Sequence, residues 1–251
     1  LEDVILFEGP DTIAAFIGEP IIGGGGIIVP PDEYWPAIRA LCDHYGILLI
    51  HDEVITGFGR TGTWFGGEQW GVVPDIMTMA KGITSGYVPL GATAVTAAVF
   101  DAFKGDPTEN VQFNQLSTYG GHPVACAVAL ENLAILAGDG LVENAARVGA
   151  SLGDGLRELM ADHPIVGEVR GKGLLWGVEL AVPGTTEPLA AAHVNIVLRE
   201  AQARGVLLGK NSSTVRDLDC VVTISPPLVL NQAEVEKIVA ALDGALGTVK
   251  L

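Results

Sequence analysis

Two charged residues close short apolar runs. Asp52 follows Leu48-Leu49-Ile50-His51, and Lys81 follows Ile76-Met77-Thr78-Met79-Ala80. Runs of this length between turn signals read as buried strands of a parallel sheet. In open parallel sheets the ligand sits beyond the carboxyl ends of the strands. The carboxylate and the amine are therefore expected to project into one crevice, despite their separation in the chain. A buried acid and a buried amine are costly unless they are paired or put to use.

The elements that would hold them follow from the flanking pattern. Pro30-Pro31-Asp32 opens a helix, with Asp32 as its cap and with Tyr34, Ile38, Leu41 and Tyr45 on one face. Gly46 closes it, and the strand carrying Asp52 runs on through Val54. Helix-to-strand alternation is the mark of a βαβ sheet. The run Gly23 to Gly26 has no Gly-Lys-Ser/Thr after it and opens no helix, so it reads as a loop and not a phosphate cradle. Gly57 to Gly71 is an aromatic, glycine-rich loop. Its Trp64, Phe65 and Trp70 either line a channel or subunit interface or plug the loop against the core. Ala92 to Val99 reads as a further strand, and an Ala-rich helix spans Pro123 to Leu136. A second helix follows the Gly138 to Gly140 break.

From Ile165 the texture changes. Residues 166–180 read as a hairpin across a glycine turn, and a helix spans Leu189 to Arg204. Short strands follow at 206–208 and 221–224, then a helix capped by Asn231. The predicted fold class is α/β: a mostly parallel sheet in a large domain over residues 1–145, then a smaller α+β domain over 146–251.

Composition narrows the function classes. The chain has 251 residues, with 49% hydrophobic and 18% charged, which suits an α/β enzyme. A net charge of −16 argues against a nucleic-acid backbone as partner. Cys42, Cys126 and Cys220 are odd in number and widely spaced, so they read as free thiols of a reducing, cytoplasmic compartment. No apolar run is long and clean enough to predict a membrane span. His51 and Glu53 share one face of their strand, but no third ligand accompanies them and no metal is predicted.

The string Asp52-Glu53-Val54-Ile55-Thr56-Gly57-Phe58-Gly59-Arg60-Thr61-Gly62, with Pro74-Asp75-Ile76 and Ala80-Lys81-Gly82, resembles the core signature of class III aminotransferases. The resemblance extends upstream through Glu19-Pro20 and Ile27-Ile28-Val29-Pro30-Pro31. Downstream it runs through Ser117-Thr118-Tyr119-Gly120-Gly121-His122-Pro123 and Ser225-Pro226-Pro227-Leu228. That family uses pyridoxal 5'-phosphate on a fold-type-I scaffold.

The resemblance implies roles residue by residue. Asp52 would keep the cofactor's pyridine nitrogen protonated, and Lys81 would form the Schiff base and carry the substrate proton. Val54 would pack under the ring. Thr118 would reach the phosphate of the partner subunit, which makes a homodimer or higher homo-oligomer with shared sites the expected assembly. Arg216 would hold a substrate carboxylate, or else form a surface ion pair with Asp217 or Asp219. Thr223-Ile224 stands where some carboxylate-specific relatives carry a basic residue, which favours amine or ω-amino-acid donors. The expected reaction moves an amino group from such a donor to pyruvate or another 2-oxo acid. Aminomutases and decarboxylases share the scaffold, and an inert fragment is the non-enzymatic alternative. The resemblance also implies that the large domain is incomplete at its N-terminus and needs a missing segment or a companion chain.

Overall fold

A computed structural model describes residues 1–211 and 218–250. The chain divides into two compact units. The first comprises residues 1–20, 30–58 and 65–138, and the second residues 21–29, 59–64 and 139–251.

The first unit is a four-stranded sheet. Helix α1 (Glu2–Glu8) and strand β1 (Ala15–Gly18) precede helix α2 (Tyr34–Tyr45) and strand β2 (Leu48–Asp52). Strands β3 (Ile76–Met79) and β4 (Ala92–Val95) follow, then helices α3 (Ala97–Asp101) and α4 (Pro123–Gly138). The order is β1-β2-β3-β4, with β1, β2 and β3 parallel and β4 antiparallel. Gly46 is left-handed and its N–H bonds the Cys42 carbonyl, as a helix C-terminus requires. The expected cap does not form: Asp32 lies outside α2, whose first flanking residue, Glu33, makes no capping bond. The strand predicted over Ala92 to Val99 stops at Val95, because the Thr96 hydroxyl accepts from the Val99 N–H and starts α3.

One face of this sheet is closed by α2. Leu49, Trp35, Ile38 and Cys42 form its core, with Phe16 and Trp70 packed against it. Trp35 lies edge-on to the His51 ring at 4.6 Å, and its indole N–H donates to the Pro20 carbonyl at 3.0 Å. Phe65 stacks edge-on with Phe58. In the aromatic loop, Trp70 thus packs on this core and Phe65 on the buried Phe58. The opposite face of the sheet stays open, with Ile17, Leu48 and Val95 exposed.

The second unit packs α5 (Leu141–Asp162), α6 (Ala191–Ala203) and α7 (Gln232–Leu246) against an antiparallel sheet. Its strands are β5 (Val166–Lys172), β6 (Leu175–Leu180), β7 (Gly209–Lys210) and β8 (Val221–Ile224), in the order β5-β6-β8-β7. Helix α5 lies hard on the hairpin: a Cβ at Gly149 would stand 2.0 Å from the Gly173 carbonyl oxygen. Asn231 and Glu234 form a reciprocal capping box on α7. The strand predicted at 206–208 is displaced to Gly209–Lys210, since the Val206 N–H bonds the Ala201 carbonyl and Leu207 is exposed. In the glycine run 23–26 the Gly26 and Ile27 N–H groups both bond the Gly23 carbonyl. The Gly26 and Ile27 carbonyls face the Arg170 guanidinium, which donates to both.

Candidate active site

The parallel strands deliver Asp52 and Lys81 to the same edge of the sheet. In the β2–β3 ladder Asp52 pairs with Thr78, three residues before Lys81. Asp52 is the last residue of β2, and Lys81 opens a short 3-10 turn two residues beyond β3. Paired residues of neighbouring strands share a face, so Asp52, Ile50, Thr78 and Ile76 lie on the open side, opposite Leu49 and His51.

The Asp52 carboxylate is half committed. Its Oδ1 accepts from the Val54 N–H at 3.0 Å, and Oδ2 has no bond among the described residues. Val54 is half-buried but stands beyond the end of the strand, in a turn. Strand alternation therefore does not carry to it, and its N–H on Asp52 is what fixes it. Lys81 is exposed in this chain and not buried as the sequence predicts, because β3 stops at Met79 and the chain turns outward. Its amine has no ion pair or hydrogen bond among the described residues, and its backbone is left-handed at φ 41°. A non-glycine residue in that region costs about 1–3 kcal/mol and persists only where its surroundings over-determine it.

The strand end is tied down from the far face. Glu53 is fully buried. Its carboxylate accepts from the Thr56 hydroxyl at 2.5 Å, the Gly66 N–H at 2.8 Å and the Gly67 N–H at 2.9 Å. Burial pushes the Glu53 carboxyl up, and the hydroxyl and the two amides pull against it. Neither oxygen can serve Asp52's side of the strand. Asp75 makes a second stitch: its N–H and Oδ2 exchange 2.8 Å bonds with the Leu49 carbonyl and N–H, and Oδ2 also takes Arg39. Burial would raise the Asp75 carboxyl, but the Leu49 N–H and the Arg39 guanidinium hold it below the ordinary carboxylate range.

His51 is tightly packed on its Nδ1 side. It is fully buried, neither ring nitrogen is bonded, and a Cβ at Gly67 would stand 2.6 Å from Nδ1. Among the described residues no group of His, Cys, Asp and Glu is arranged to hold a metal ion. Burial, helped by Arg39, lowers the His51 pKa to about 4. The unfolded chain therefore takes up a proton near pH 6.5 that the folded one refuses until about pH 4. Stability should fall across that window by at most about 3 kcal/mol. Denaturant unfolding from pH 7 to 4 should show a smaller loss for His51→Leu than for the native protein. Parallel curves would mean that the imidazole titrates normally.

The other expected site residues are not gathered here. Thr118 sits in an exposed turn and makes no hydrogen bond among the described residues. Arg216 lies outside the described residues. Asp219, one of the carboxylates considered as its partner, is paired with Lys210 at 2.8 Å.

The class-III aminotransferase family model matches residues 1–246. The chain belongs to the class-III aminotransferases. It is 46% identical over its whole length to a taurine–pyruvate aminotransferase of Bilophila wadsworthia, covering 55% of that protein. It is 42% identical, over 95% of its length, to half of a putrescine–pyruvate aminotransferase of Pseudomonas aeruginosa. Among solved structures, an aminotransferase of Bacillus anthracis superposes on 99% of this chain with TM-score 0.96 at 44% identity, and 55% of that chain is covered. An amine transaminase from an uncultivated Pseudomonas species in its PLP-bound form gives TM-score 0.91 at 44% identity, over 98% of this chain and 55% of that one. The class-III chain described here thus spans about half the length of the curated relatives it matches. Among the described residues no single helix is long and apolar enough to cross a membrane.

Proposed function

We propose that this chain carries the catalytic acid and amine of a pyridoxal-phosphate aminotransferase that takes an amine or ω-amino acid as donor and pyruvate or another 2-oxo acid as acceptor. The observation that carries the reading is the placement of Asp52 and Lys81 at the carboxyl ends of adjacent parallel strands, with an uncommitted carboxylate oxygen and an unpaired amine. The residues present fit the group: an anion for the ring nitrogen, an amine for the aldehyde, and a sheet edge open to receive both.

Pyridoxal phosphate, when bound, supplies an electron sink for the carbanion left at the substrate's amine-bearing carbon. Asp52 Oδ2 would hold the proton on the ring nitrogen, as a nearby opposite charge does. Lys81 Nζ would hold the group by its aldehyde and would move the proton at the substrate carbon. Val54 would pack beneath the ring, and Thr118 would offer a hydroxyl to the phosphate held by a second copy of the chain. Arg216 would take a donor or acceptor carboxylate.

The first compact unit is then the C-terminal portion of the cofactor-binding domain, and the second is the small domain. The open face bearing Ile17, Leu48 and Val95 is the surface that the remaining length of the relatives would cover, in a cytoplasmic homodimer. The relatives named above act on taurine or putrescine with pyruvate, which supports an amine-type donor. The test is stoichiometric. Full-length enzyme given an isotopically labelled donor amine should place the label in alanine and consume one pyruvate per donor. Label retained in a rearranged donor, or carbon dioxide released without pyruvate use, would instead identify an aminomutase or a decarboxylase.

A further inference from the structure

We propose that Asn132 is a positioning residue for Lys81, fixing the strained turn that presents its amine; this rests on Lys81 being the cofactor-bonding lysine. Asn132 stands in the middle of α4, and its amide nitrogen donates to the Gly82 carbonyl at 2.9 Å and to the Ile83 carbonyl at 3.1 Å. Its amide oxygen accepts from the Ser85 hydroxyl at 2.6 Å. Three of the four bonds available to the side chain thus fall on three of the four residues after Lys81.

The turn needs that hold. Lys81 at φ 41° and Ser85 at φ 50° are both left-handed without being glycine. The first backbone bond of the turn, from the Ile83 N–H to the Ala80 carbonyl, is 3.1 Å, but the next two are long, 3.3 Å from the Thr84 N–H to the Lys81 carbonyl and 3.4 Å from the Ser85 N–H to the Gly82 carbonyl. The Gly82 carbonyl takes only weak backbone donors, from Thr84 and Ser85, and the Ile83 carbonyl takes none among the described residues; Asn132 donates to both. The far end is locked separately by Thr84, which is buried and donates to the Val88 carbonyl at 2.7 Å. Gly82 abuts Phe58, so the turn has little freedom to relax sideways: an added Cβ would meet the Phe58 Cβ at 3.0 Å.

The helix is built to present this one amide. Ala125, Ala129 and Leu136 are its buried residues, and Asn132 falls on the same stripe at helical spacing. A polar residue on the buried stripe of a helix carries a desolvation cost that specific bonding offsets.

The experiment uses the full-length enzyme loaded with pyridoxal phosphate. Asn132→Ala removes all three bonds. Asn132→Asp keeps the shape and the Ser85 acceptor but turns an acceptor toward two carbonyls, and it serves if the alanine variant does not fold. Ser85→Ala removes only the third bond. The readouts are the pH midpoint of the visible lysine–cofactor absorbance, the rate of cofactor loss on dialysis, and kcat apart from KM. Either Asn132 variant should shift the midpoint, speed cofactor loss, and lower kcat by about 10²-fold, the effect of a slight misplacement of a reacting group. KM for the amine should change little, and Ser85→Ala should stay near the native enzyme.

An Asn132 variant with a lower thermal midpoint but native absorbance midpoint and cofactor retention would make the residue a simple helix anchor and overturn the proposal. So would a Ser85→Ala effect as large as that of Asn132→Ala. A Lys81→Ala enzyme that kept the absorbance would refute the lysine's role itself. Loss of absorbance in Lys81→Ala alongside native Asn132 variants would refute the positioning role alone.

Discussion

Lys81→Ala in the full-length enzyme should erase the visible lysine–cofactor absorbance and lower amino transfer about 10⁴-fold, the upper range for a positioned proton-transfer group. The fold should not notice. The Lys81 amine makes no ion pair or hydrogen bond among the described residues, so its removal leaves no orphaned partner. Alanine at φ 41° meets the same left-handed penalty that lysine does, so no fresh backbone strain is created. Thermal unfolding of the cofactor-free variant should therefore match that of the cofactor-free native enzyme while the chemistry disappears. Among the described residues, β1 ends at Gly18 and β2 at Asp52, so of these three parallel strands only β3 leads into a lysine. Lys81→Arg sharpens the test, because a guanidinium stays charged and cannot bond an aldehyde. It should be as inactive as alanine although it keeps the positive charge. Substantial activity in the arginine variant would assign Lys81 to electrostatics and not to covalent work.

The parts of this site that were legible in the sequence are those set by local pattern. The run ending at Asp52 and the run before Lys81 announce themselves by length and by their bounding turns, and Gly46 and Asn231 mark helix ends by their own backbone or side-chain chemistry. What was not legible depends on partners far along the chain. Glu53 reads as one more charged residue after Asp52; only the fold shows its two oxygens filled by Thr56 and by amides 13 and 14 residues onward. Asn132 bonds carbonyls about 50 residues away, and backbone carbonyls leave no trace in residue types. Its one available signal was a lone amide on the stripe shared with Ala125, Ala129 and Leu136. The expected burial of Lys81 failed for a related reason. Strand periodicity says which face a side chain takes but not where the ladder stops, and β3 stops two residues early.

Asp52→Asn is the second large effect, and it separates the acid's task from the amine's. The substitution keeps the shape, and the amide oxygen can still accept the Val54 N–H now held at 3.0 Å. What it removes is the negative charge that would face the ring nitrogen. A carboxylate within hydrogen-bond reach moves a proton affinity by about 1–3 units, so amino transfer should fall by about 10- to 10³-fold at neutral pH. Glu53 cannot compensate from the next position, because it lies on the opposite face with both oxygens engaged. Unlike Lys81→Ala, this variant should keep the lysine–cofactor absorbance, since the bond to the aldehyde is untouched. Its rate should also recover as pH is lowered, because solvent protons then supply what the carboxylate no longer secures. The native enzyme should gain nothing over the same range. An asparagine variant with the native rate and a native pH profile would mean that Asp52 merely closes its own turn through Val54, and the ring would have to find its counter-charge elsewhere.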